Sequence, residues 1–243
     1  MIKKAFVTSS VYALAKKLGQ KAAIQEVRRQ LDSPSRESLP MVRTIYKLSK
    51  IAPDIELPLM IDGGATYIGM ARSRAFHEAY KSGAPAWIAI DDDLEVTQDS
   101  CVAMLDALDD VVPRIILTPY YERSDDDAPR LTCPIPLIRN ERRIAGGSLL
   151  ALPPSSGGGF GFVGMNRAAM LKIVTAAKQD KAFQWFDHGE EKLALFYERL
   201  EDGLWYGEDI SFFKWRVPPT VSVELLLVGT SIHGGVALNL FSL

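Results

Sequence analysis

The chain has 243 residues, of which 47% are hydrophobic and 24% charged, and its formal net charge is −2. These values are typical of a globular protein, and the length fits one large α/β domain or two small ones. The near-neutral charge offers no basic surface for nucleic acid, and no apolar run approaches the roughly 18 residues of a membrane-spanning helix. Cys101 and Cys133 suit neither a disulfide framework nor a zinc site, so we expect free thiols in a reducing compartment and a cytoplasmic location.

The N-terminal hundred residues predict strands that alternate with helices. Apolar residues at helical spacing indicate the helices, and short apolar runs indicate the strands. In chain order the predicted elements are a strand at 5–10, helices at 11–31 and 41–52, a strand at 56–62, a helix at 69–83 and a strand at 86–90. The last strand is apolar throughout, as expected for a central strand that is covered on both faces.

The remaining residues continue the alternation. Asp125–Asp127 is expected to form a solvated surface turn, and a second helix-rich stretch begins near Asn166. The predicted elements are a helix at 97–111, a strand at 114–121, strand material and a glycine-rich passage at 146–164, helical patterns from 166 towards 200, a helix at 207–217 and a strand at 220–235. Such alternation predicts an α/β/α sandwich with a mostly parallel central sheet.

Three aspartates, Asp91–Asp93, follow the apolar run 86–90 without a spacer. Adjacent carboxylates repel one another and are costly to remove from water. Ligands collect at the carboxyl ends of strands in open α/β sheets, and clustered carboxylates tolerate one another around a hard cation such as Mg²⁺ or Mn²⁺. The pattern therefore indicates a metal–diphosphate site, with a helix cap or a solvated turn as the alternative.

Two arginines stand near the start of the predicted helix at 69–83, just after the glycine-rich loop Gly63–Gly64. A helix N-terminus with guanidinium groups is a natural anion site. Arg72 and Arg74 are therefore candidates for contacting phosphates. The alternative is that both are surface arginines.

Two later motifs contain further candidates. In WYGEDISFF, Glu208 and Asp209 stand at a predicted helix start, where a carboxylate either caps the helix or acts as a general base. In SIHGG, His233 ends an apolar strand, where an imidazole is either a packed or surface residue or a metal ligand. The aromatic pair Trp185–Phe186 either lines a ligand cleft or packs in the core or at an interface.

With these motifs in this order, the chain resembles a glycosyltransferase of the GT-A fold, of the small bacterial or phage type. The resemblance covers nearly the whole chain and implies one domain over 1–243, with a nucleotide-binding half at about 1–100 and an acceptor-binding half at about 101–243. Its matching stretches are FVTSSVY, GMARSRAF, IAIDDDLEV (the DxD motif), GGGFGFVGMNRAAM, DGLWYGEDISFFKW and SIHGG.

The resemblance implies a nucleoside diphosphate sugar, such as a UDP- or GDP-sugar, over the N-terminal half of the sheet, with Mn²⁺ or Mg²⁺ as cofactor. Most of the implied contacts are with this donor and its metal ion. They are Thr8 at the base, Arg72 and Arg74 at the nucleotide or its phosphates, Asp91 at the ribose or a metal-bound water, Asp92 at the nucleotide, and Asp93 and His233 as metal ligands. Whether Asp91 or Asp92 joins Asp93 at the metal stays open.

The same resemblance implies roles on the acceptor side. Gly158 and Gly159 would leave room beside the donor sugar. In inverting enzymes Asp209 would remove the proton of the acceptor hydroxyl, and Glu208 would help to position the acceptor. The acceptor class stays open between a saccharide, a lipid-linked glycan, a protein and a nucleobase, and the stereochemical outcome stays open as well.

Two other function classes are compatible with acidic strand ends. A nucleotidyltransferase acting on a sugar phosphate would normally carry a glycine- and lysine-rich phosphate loop near its first strand, and FVTSSVYALAKK has none. A non-catalytic nucleotide-sugar-binding module would keep the fold without the chemistry. Slow manganese-dependent hydrolysis of a nucleotide sugar separates the transferase from the module, whereas release of pyrophosphate from a nucleoside triphosphate identifies the nucleotidyltransferase.

Overall fold

The structure is a computed structural model that describes residues 2, 4–51, 59–62, 67–123, 129–136, 140–179, 184–187, 189–240 and 243. Within these residues the helices are α1 (Tyr12–Leu18), α2 (Gln20–Asp32), α3 (Pro40–Ile51), α4 (Ile68–Lys81), α5 (Gln98–Leu108), α6 (Arg167–Lys178) and α7 (Glu208–Trp215).

The strands of the described residues are more numerous than the sequence pattern predicts. They are β1 (Ala5–Ser10), β2 (Leu59–Asp62), β3 (Ala86–Asp91), β4 (Leu94–Val96), β5 (Arg114–Leu117), β6 (Tyr121–Arg123), β7 (Pro129–Leu131), β8 (Glu141–Ile144), β9 (Gly147–Ala151), β10 (Phe162–Asn166), β11 (Gln184–Asp187), β12 (Glu190–Leu193), β13 (Arg199–Glu201), β14 (Leu204–Tyr206), β15 (Ser222–Leu227), β16 (Thr230–His233) and β17 (Val236–Asn239).

The central sheet has eight described strands in the order β2-β1-β3-β10-β5-β15-β9-β8. Three neighbouring pairs are parallel, namely β1–β2, β1–β3 and β5–β15. The other four are antiparallel, because β10 runs against β3 and β5, and β9 runs against β15 and β8. The expectation of a mostly parallel sheet is therefore wrong, and the sheet is mixed. An apolar run indicates burial but carries no information about strand direction.

Helices cover both faces of this sheet, so the α/β/α layering is confirmed. Successive residues of β3 point to opposite faces, as the twofold period of a strand requires. Trp87 and Ala89 belong to a core that also contains buried residues of α4, α6 and α7. Ile88 and Ile90 belong to a second core, which contains buried residues of α2, α3 and α5. The prediction that this strand is covered on both faces is confirmed.

Several predicted elements are confirmed with local corrections. The helical pattern at 11–31 is split into α1 and α2 at Gly19, which adopts a positive φ of 85°. The helix expected near Asn166 begins there, because the Asn166 side chain accepts a hydrogen bond from the Ala169 amide at 3.0 Å. An Asn side chain in this capping position satisfies one of the free amides of the first helical turn.

The helical pattern predicted from 166 towards 200 is wrong beyond α6. The chain instead forms two hairpins, β11–β12 and β13–β14. In the second hairpin Asp202 and Gly203 adopt positive φ angles of 52° and 76°. Two adjacent residues in this region make the tight turn that suits antiparallel strands. The helix at the GED motif is confirmed as α7.

The strand predicted at 220–235 is broken at Gly229, whose φ is 77°. This break sends β15 into the central sheet and β16 into a separate sheet of order β17-β16-β4. Gly63–Gly64, Asp125–Asp127 and the side chains of Trp185 and Phe186 lie outside the described residues. Within the described part of the chain, no helix has the length and apolar character needed to cross a membrane.

Candidate active site

The carboxyl end of β3 delivers the three aspartates to one edge of the central sheet. Asp91 is the last residue of β3 and is in register with Ser10 at the end of β1. Its amide donates a hydrogen bond to the Gly161 carbonyl at 2.7 Å, which fixes the point where the strand ends. Asp92 and Asp93 form the turn that leads into β4.

The pairing of β16 with β4 brings the late histidine to the aspartates. In this antiparallel pair His233 lies opposite Leu94, the residue that follows Asp93. His233 Nε2 lies 3.0 Å from Asp93 Oδ2. The two residues are far apart in the sequence, so the break at Gly229 and the register of the small sheet bring them together.

A backbone carbonyl fixes the tautomer of His233. Its Nδ1 lies 3.0 Å from the carbonyl oxygen of Tyr121. Because a carbonyl only accepts hydrogen bonds, Nδ1 carries a proton. Nε2 faces Asp93, and it donates to that carboxylate when protonated and offers its lone pair to a cation when not. The hydrogen bond with Asp93 raises the pKa of His233, although burial opposes this shift. The same bond holds the pKa of Asp93 below its ordinary value.

Arg72 links the aspartates to α7. Its side chain is only 9% exposed. Nη2 donates to both carboxylate oxygens of Asp91, at 3.0 and 3.1 Å, and Nη1 donates to Glu208 Oε1 at 2.6 Å. The guanidinium also lies 5.2 Å from the centre of the Phe160 ring. Burial opposes its charge, but the carboxylates of Asp91, Glu208 and Asp209 outweigh it and raise the pKa of Arg72.

The two carboxylates at the start of α7 have different surroundings. Glu208 turns inward to Arg72, and its side chain is 14% exposed. Burial raises the pKa of Glu208 despite the attraction of Arg72, and the charge of Asp209 adds to the rise. Asp209 Oδ1 accepts a hydrogen bond from the Ile210 amide at 2.7 Å. Of the two carboxylates, Glu208 is the one that accepts a hydrogen bond from Arg72.

These side chains form one acidic cluster with more carboxylates than cationic groups. Burial raises the pKa of Asp91, and the charges of Asp93 and Asp209 add to that rise against the pull of Arg72. Burial, followed by the charges of Asp93 and Asp91, raises the pKa of Asp92 to about 7. A bound cation would relieve this repulsion. The members of the acidic cluster are Asp91, Asp92, Asp93, Glu208 and Asp209, with Arg72 and His233.

The residues fit a divalent cation held by few protein ligands. Within the described residues, no group of three or more His, Cys, Asp or Glu side chains is arranged to hold a metal ion. Mg²⁺-type sites are often built from one or two carboxylates, completed by water and substrate phosphates. Asp93 and His233 fit such a site, because the histidine tautomer is set by a carbonyl. Asp91 fits less well, since both its oxygens are engaged by Arg72.

Tyr120 is a member of the site that the sequence pattern missed. Its ring centre lies 4.9 Å from that of His233, and the charges of Asp91, Arg72 and Asp209 act on its phenol. Burial, reinforced by Asp91, raises its pKa well above the ordinary value. The run 114–121 was expected to be one strand, but β5 ends at Leu117. A tyrosine just after a strand at the carboxyl edge is the signal that would have found it.

Three residues implied by the resemblance are placed differently from expectation. Gly158 does not border open space, because a side chain there would overlap Cys133 Sγ and the Thr132 carbonyl. At Gly159 a side chain would overlap the Tyr120 hydroxyl. Both glycines therefore allow close packing within the protein. Thr8 lies two residues before the end of β1 and is 4% exposed.

Thr8 makes its contact inside the core, and helix geometry separates Arg74 from Arg72. The Thr8 hydroxyl accepts a hydrogen bond from the Trp87 indole at 2.8 Å, so its observed contact is within the core. Arg74 lies two residues beyond Arg72 on α4, which places it about 200° around the helix axis. The two arginines therefore do not share one face, and Arg72 is the one seen to donate to Asp91 and Glu208.

A cavity of about 470 Å³ adjoins the acidic cluster on the side of α1 and α3. Asp92 and Asp93 form part of its wall. Its volume is within the range of small-molecule sites. The other lining residues are Leu14, Lys17, Leu39, Pro40, Arg43, Glu95, Ile232, Gly234 and Gly235.

No protein-family model matches the sequence. No curated protein shows significant similarity to it. Among solved structures, the crystal structure of A197 from STIV is similar with a TM-score of 0.48 and 16% identity, over 96% of this chain and 85% of that one. A protein from Desulfovibrio desulfuricans G20, provisionally named a nucleotide-diphospho-sugar transferase, is similar with a TM-score of 0.28 and 12% identity, over 74% of this chain and 71% of that one. At these values neither likeness assigns a family or a function.

Proposed function

We propose that this protein is a metal-dependent glycosyltransferase that moves a sugar from a nucleoside diphosphate sugar to an acceptor hydroxyl. The observation that carries the proposal is the meeting of His233 and Asp93 at the carboxyl edge of the sheet, 3.0 Å apart. This pair combines a carboxylate oxygen with an imidazole whose Nδ1 is held by the Tyr121 carbonyl, beside a cavity and in one acidic cluster with Asp209. Neither a helix cap nor a solvated turn requires a histidine from the far end of the chain.

Asp93 and His233 would hold Mn²⁺ or Mg²⁺ together with the diphosphate of the donor. A divalent ion at this position neutralises the negative charge that develops on the leaving diphosphate. The excess of carboxylates in the acidic cluster supports a cation there, because it disfavours binding of a bare diphosphate. The cavity beside Asp92 and Asp93 has room for the nucleoside part of the donor, with apolar walls at Leu39 and Ile232.

In this proposal Arg72 holds the site together rather than contacting the phosphates. It donates to Asp91 and to Glu208 at once, so the end of β3 and the start of α7 keep a fixed relative position. Asp209 follows Glu208 in the chain and is thereby placed beside the donor. In an inverting reaction the acceptor oxygen bonds to the anomeric carbon, its proton passes to the Asp209 carboxylate, and the sugar–oxygen bond to the diphosphate breaks with its electron pair leaving on the diphosphate.

Calorimetric titration with UDP and GDP, in Mn²⁺ and in EDTA, tests the proposal. We expect one of the two nucleotides to bind in Mn²⁺ and to lose most of its affinity in EDTA. Asp93→Asn should weaken binding in Mn²⁺ by tenfold or more, since it removes a ligand charge. Asp99→Asn is the matched control, because Asp99 is an exposed carboxylate in the first turn of α5, and it should bind normally.

Hydrolysis of nucleotide sugars completes the test. The wild-type protein should slowly release the nucleoside diphosphate from UDP-glucose, UDP-N-acetylglucosamine or GDP-mannose in Mn²⁺. Nucleotide affinity that is the same in EDTA, or unchanged by Asp93→Asn, would contradict the metal site. Release of pyrophosphate from a nucleoside triphosphate and a sugar phosphate would identify a nucleotidyltransferase instead.

A further inference from the structure

The backbone around Tyr120 is fixed beside the acidic cluster by a series of hydrogen bonds. The Pro119 carbonyl accepts from Ser231 Oγ at 2.7 Å. The Tyr120 carbonyl accepts from both the amide and the hydroxyl of Thr132, at 3.0 Å each. The next carbonyl in the chain accepts from His233. Three consecutive residues are thus anchored, which fixes the direction in which the Tyr120 side chain projects.

The Tyr120 side chain fills the space above two glycines. The residue is only 8% exposed, and its ring packs against His233 at an interplanar angle of 48°. A side chain at Gly159 would overlap the phenol oxygen, and one at Gly161 would come within 2.7 Å of the ring. The space that these glycines provide is therefore taken by a tyrosine of this chain, and its hydroxyl lies directly over Gly159.

The phenol oxygen of Tyr120 is available to a ligand. Among the described residues, the hydrogen bonds of Tyr120 are those of its backbone amide and carbonyl, and its hydroxyl has no partner. The fully buried side-chain atoms that lack a partner in the described residues are Arg114 Nε, Thr118 Oγ1 and Arg216 Nε. Because Tyr120 Oη lacks a partner and is not one of them, it is not completely enclosed by the described residues.

We propose that Tyr120 binds the sugar of the donor, through a hydrogen bond between its phenol and a sugar hydroxyl; this inference rests on the proposed function. A phenol both donates and accepts a hydrogen bond, whereas a carboxylate, the group that Asp91 and Asp209 carry, only accepts. A sugar hydroxyl bound here therefore has a donor in Tyr120 and acceptors in the carboxylates. Gly158 and Gly159 act on the sugar only indirectly, by giving Tyr120 its place.

The test compares Tyr120→Phe with Tyr121→Phe. The first variant keeps the enclosed ring and removes only the hydroxyl. Tyr121 is the matched control, because it is the adjacent tyrosine and only its carbonyl contacts His233. Each variant is titrated with UDP and GDP in Mn²⁺ and assayed for Mn²⁺-dependent hydrolysis of UDP-glucose, UDP-N-acetylglucosamine and GDP-mannose.

Tyr120→Phe should bind the sugar-free nucleotide within about twofold of the wild type. It should hydrolyse the nucleotide sugar with a kcat/KM lower by about tenfold, the size expected on losing one hydrogen bond. Tyr121→Phe should match the wild type in both measurements. Thermal unfolding of Tyr120→Phe should be close to that of the wild type, because the packed ring is unchanged.

Other outcomes would overturn the inference in distinguishable ways. If the wild type hydrolyses a nucleotide sugar and Tyr120→Phe does so equally well, the sugar contact is wrong while the proposed function stands. If Tyr120→Phe weakens binding of the sugar-free nucleotide as much as it weakens turnover, Tyr120 contacts the nucleotide instead. If the wild type neither binds a nucleotide in Mn²⁺ nor hydrolyses any of the three donors, the proposed function fails, and the inference fails with it.

Discussion

Arg72 and Glu208 are 136 residues apart in the sequence, and their side chains form an ion pair with 2.6 Å between Nη1 and Oε1. The same guanidinium holds Asp91 with its other nitrogen. One buried side chain thus joins the end of β3 to the start of α7. The carboxylates that stand at these two places in the sequence form one site because this contact connects them.

Glu208→Ala should lower the free energy of unfolding by about 1–3 kcal/mol, because it leaves a buried guanidinium nitrogen without its acceptor. Glu208→Gln keeps an acceptor oxygen and should cost less. Urea denaturation measures both. Glu201→Ala is the control, since Glu201 pairs with Lys214 where both side chains are about 30% exposed, and surface pairs contribute about 0–1 kcal/mol. A cost for Glu208→Ala no larger than that of the control would show that the ion pair does not join the two elements.

The sequence pattern predicted elements well where one local signal dominates. The apolar run before Asp91 predicts a strand covered on both faces, and the pattern near Asn166 predicts the start of α6, and the structure confirms both. The sequence pattern predicts helices from 166 towards 200 because its apolar positions also fit a helical period, but beyond α6 the structure has hairpins. The tight turn at Asp202 and Gly203 makes the hairpin there, and pairing between strands outweighs a weak helical pattern.

The candidate site was predictable in its residue types but not in its contacts. Chain order and residue chemistry singled out Asp93 and His233. Their 3.0 Å separation, however, depends on the register of β16 with β4, and no local sequence pattern predicts that register. The ion pair between Arg72 and Glu208 on α7 could not be predicted from a local pattern either. Tyr120 was missed because an apolar run followed by Tyr120 and Tyr121 has the pattern of one continuous strand.

Gly158→Ala should destabilise the protein by about 1–3 kcal/mol, the usual cost of forcing extra volume into a packed interior. The added methyl group would overlap Cys133 Sγ and the Thr132 carbonyl. Gly207→Ala is the matched control, because the nearest atom to its added methyl group is Asp209 Oδ1 at 3.2 Å and its φ is −62°. Chemical denaturation measures the free energy of unfolding of both variants. Equal stability of Gly158→Ala and the wild type would mean that Gly158 does border open space.

The stability of the protein should fall as the pH rises from 9 towards 12, partly because of Cys101. Burial raises the pKa of its thiol from 9.0 to about 12. Between these values the unfolded chain has lost the thiol proton while the folded chain keeps it, so rising pH favours unfolding. Urea denaturation at pH 8 and pH 10 should show a smaller loss of stability in Cys101→Ala than in the wild type. Identical losses in both proteins would contradict the assignment to this thiol.

Asp209→Asn should lower the rate of sugar transfer by about 10²–10⁴-fold, the usual contribution of a general base, and leave nucleotide binding unchanged. The reason is geometric. Of the two carboxylates at the start of α7, Glu208 is held by Arg72, whereas Asp209 accepts only from the neighbouring Ile210 amide among the described residues. Asp202→Asn is a suitable control, because Asp202 lies in the β13–β14 turn with a φ of 52°, a conformation that Asn adopts readily. Transfer by Asp209→Asn at the wild-type rate would remove Asp209 from the chemistry, as expected of a retaining enzyme, which does not need this base.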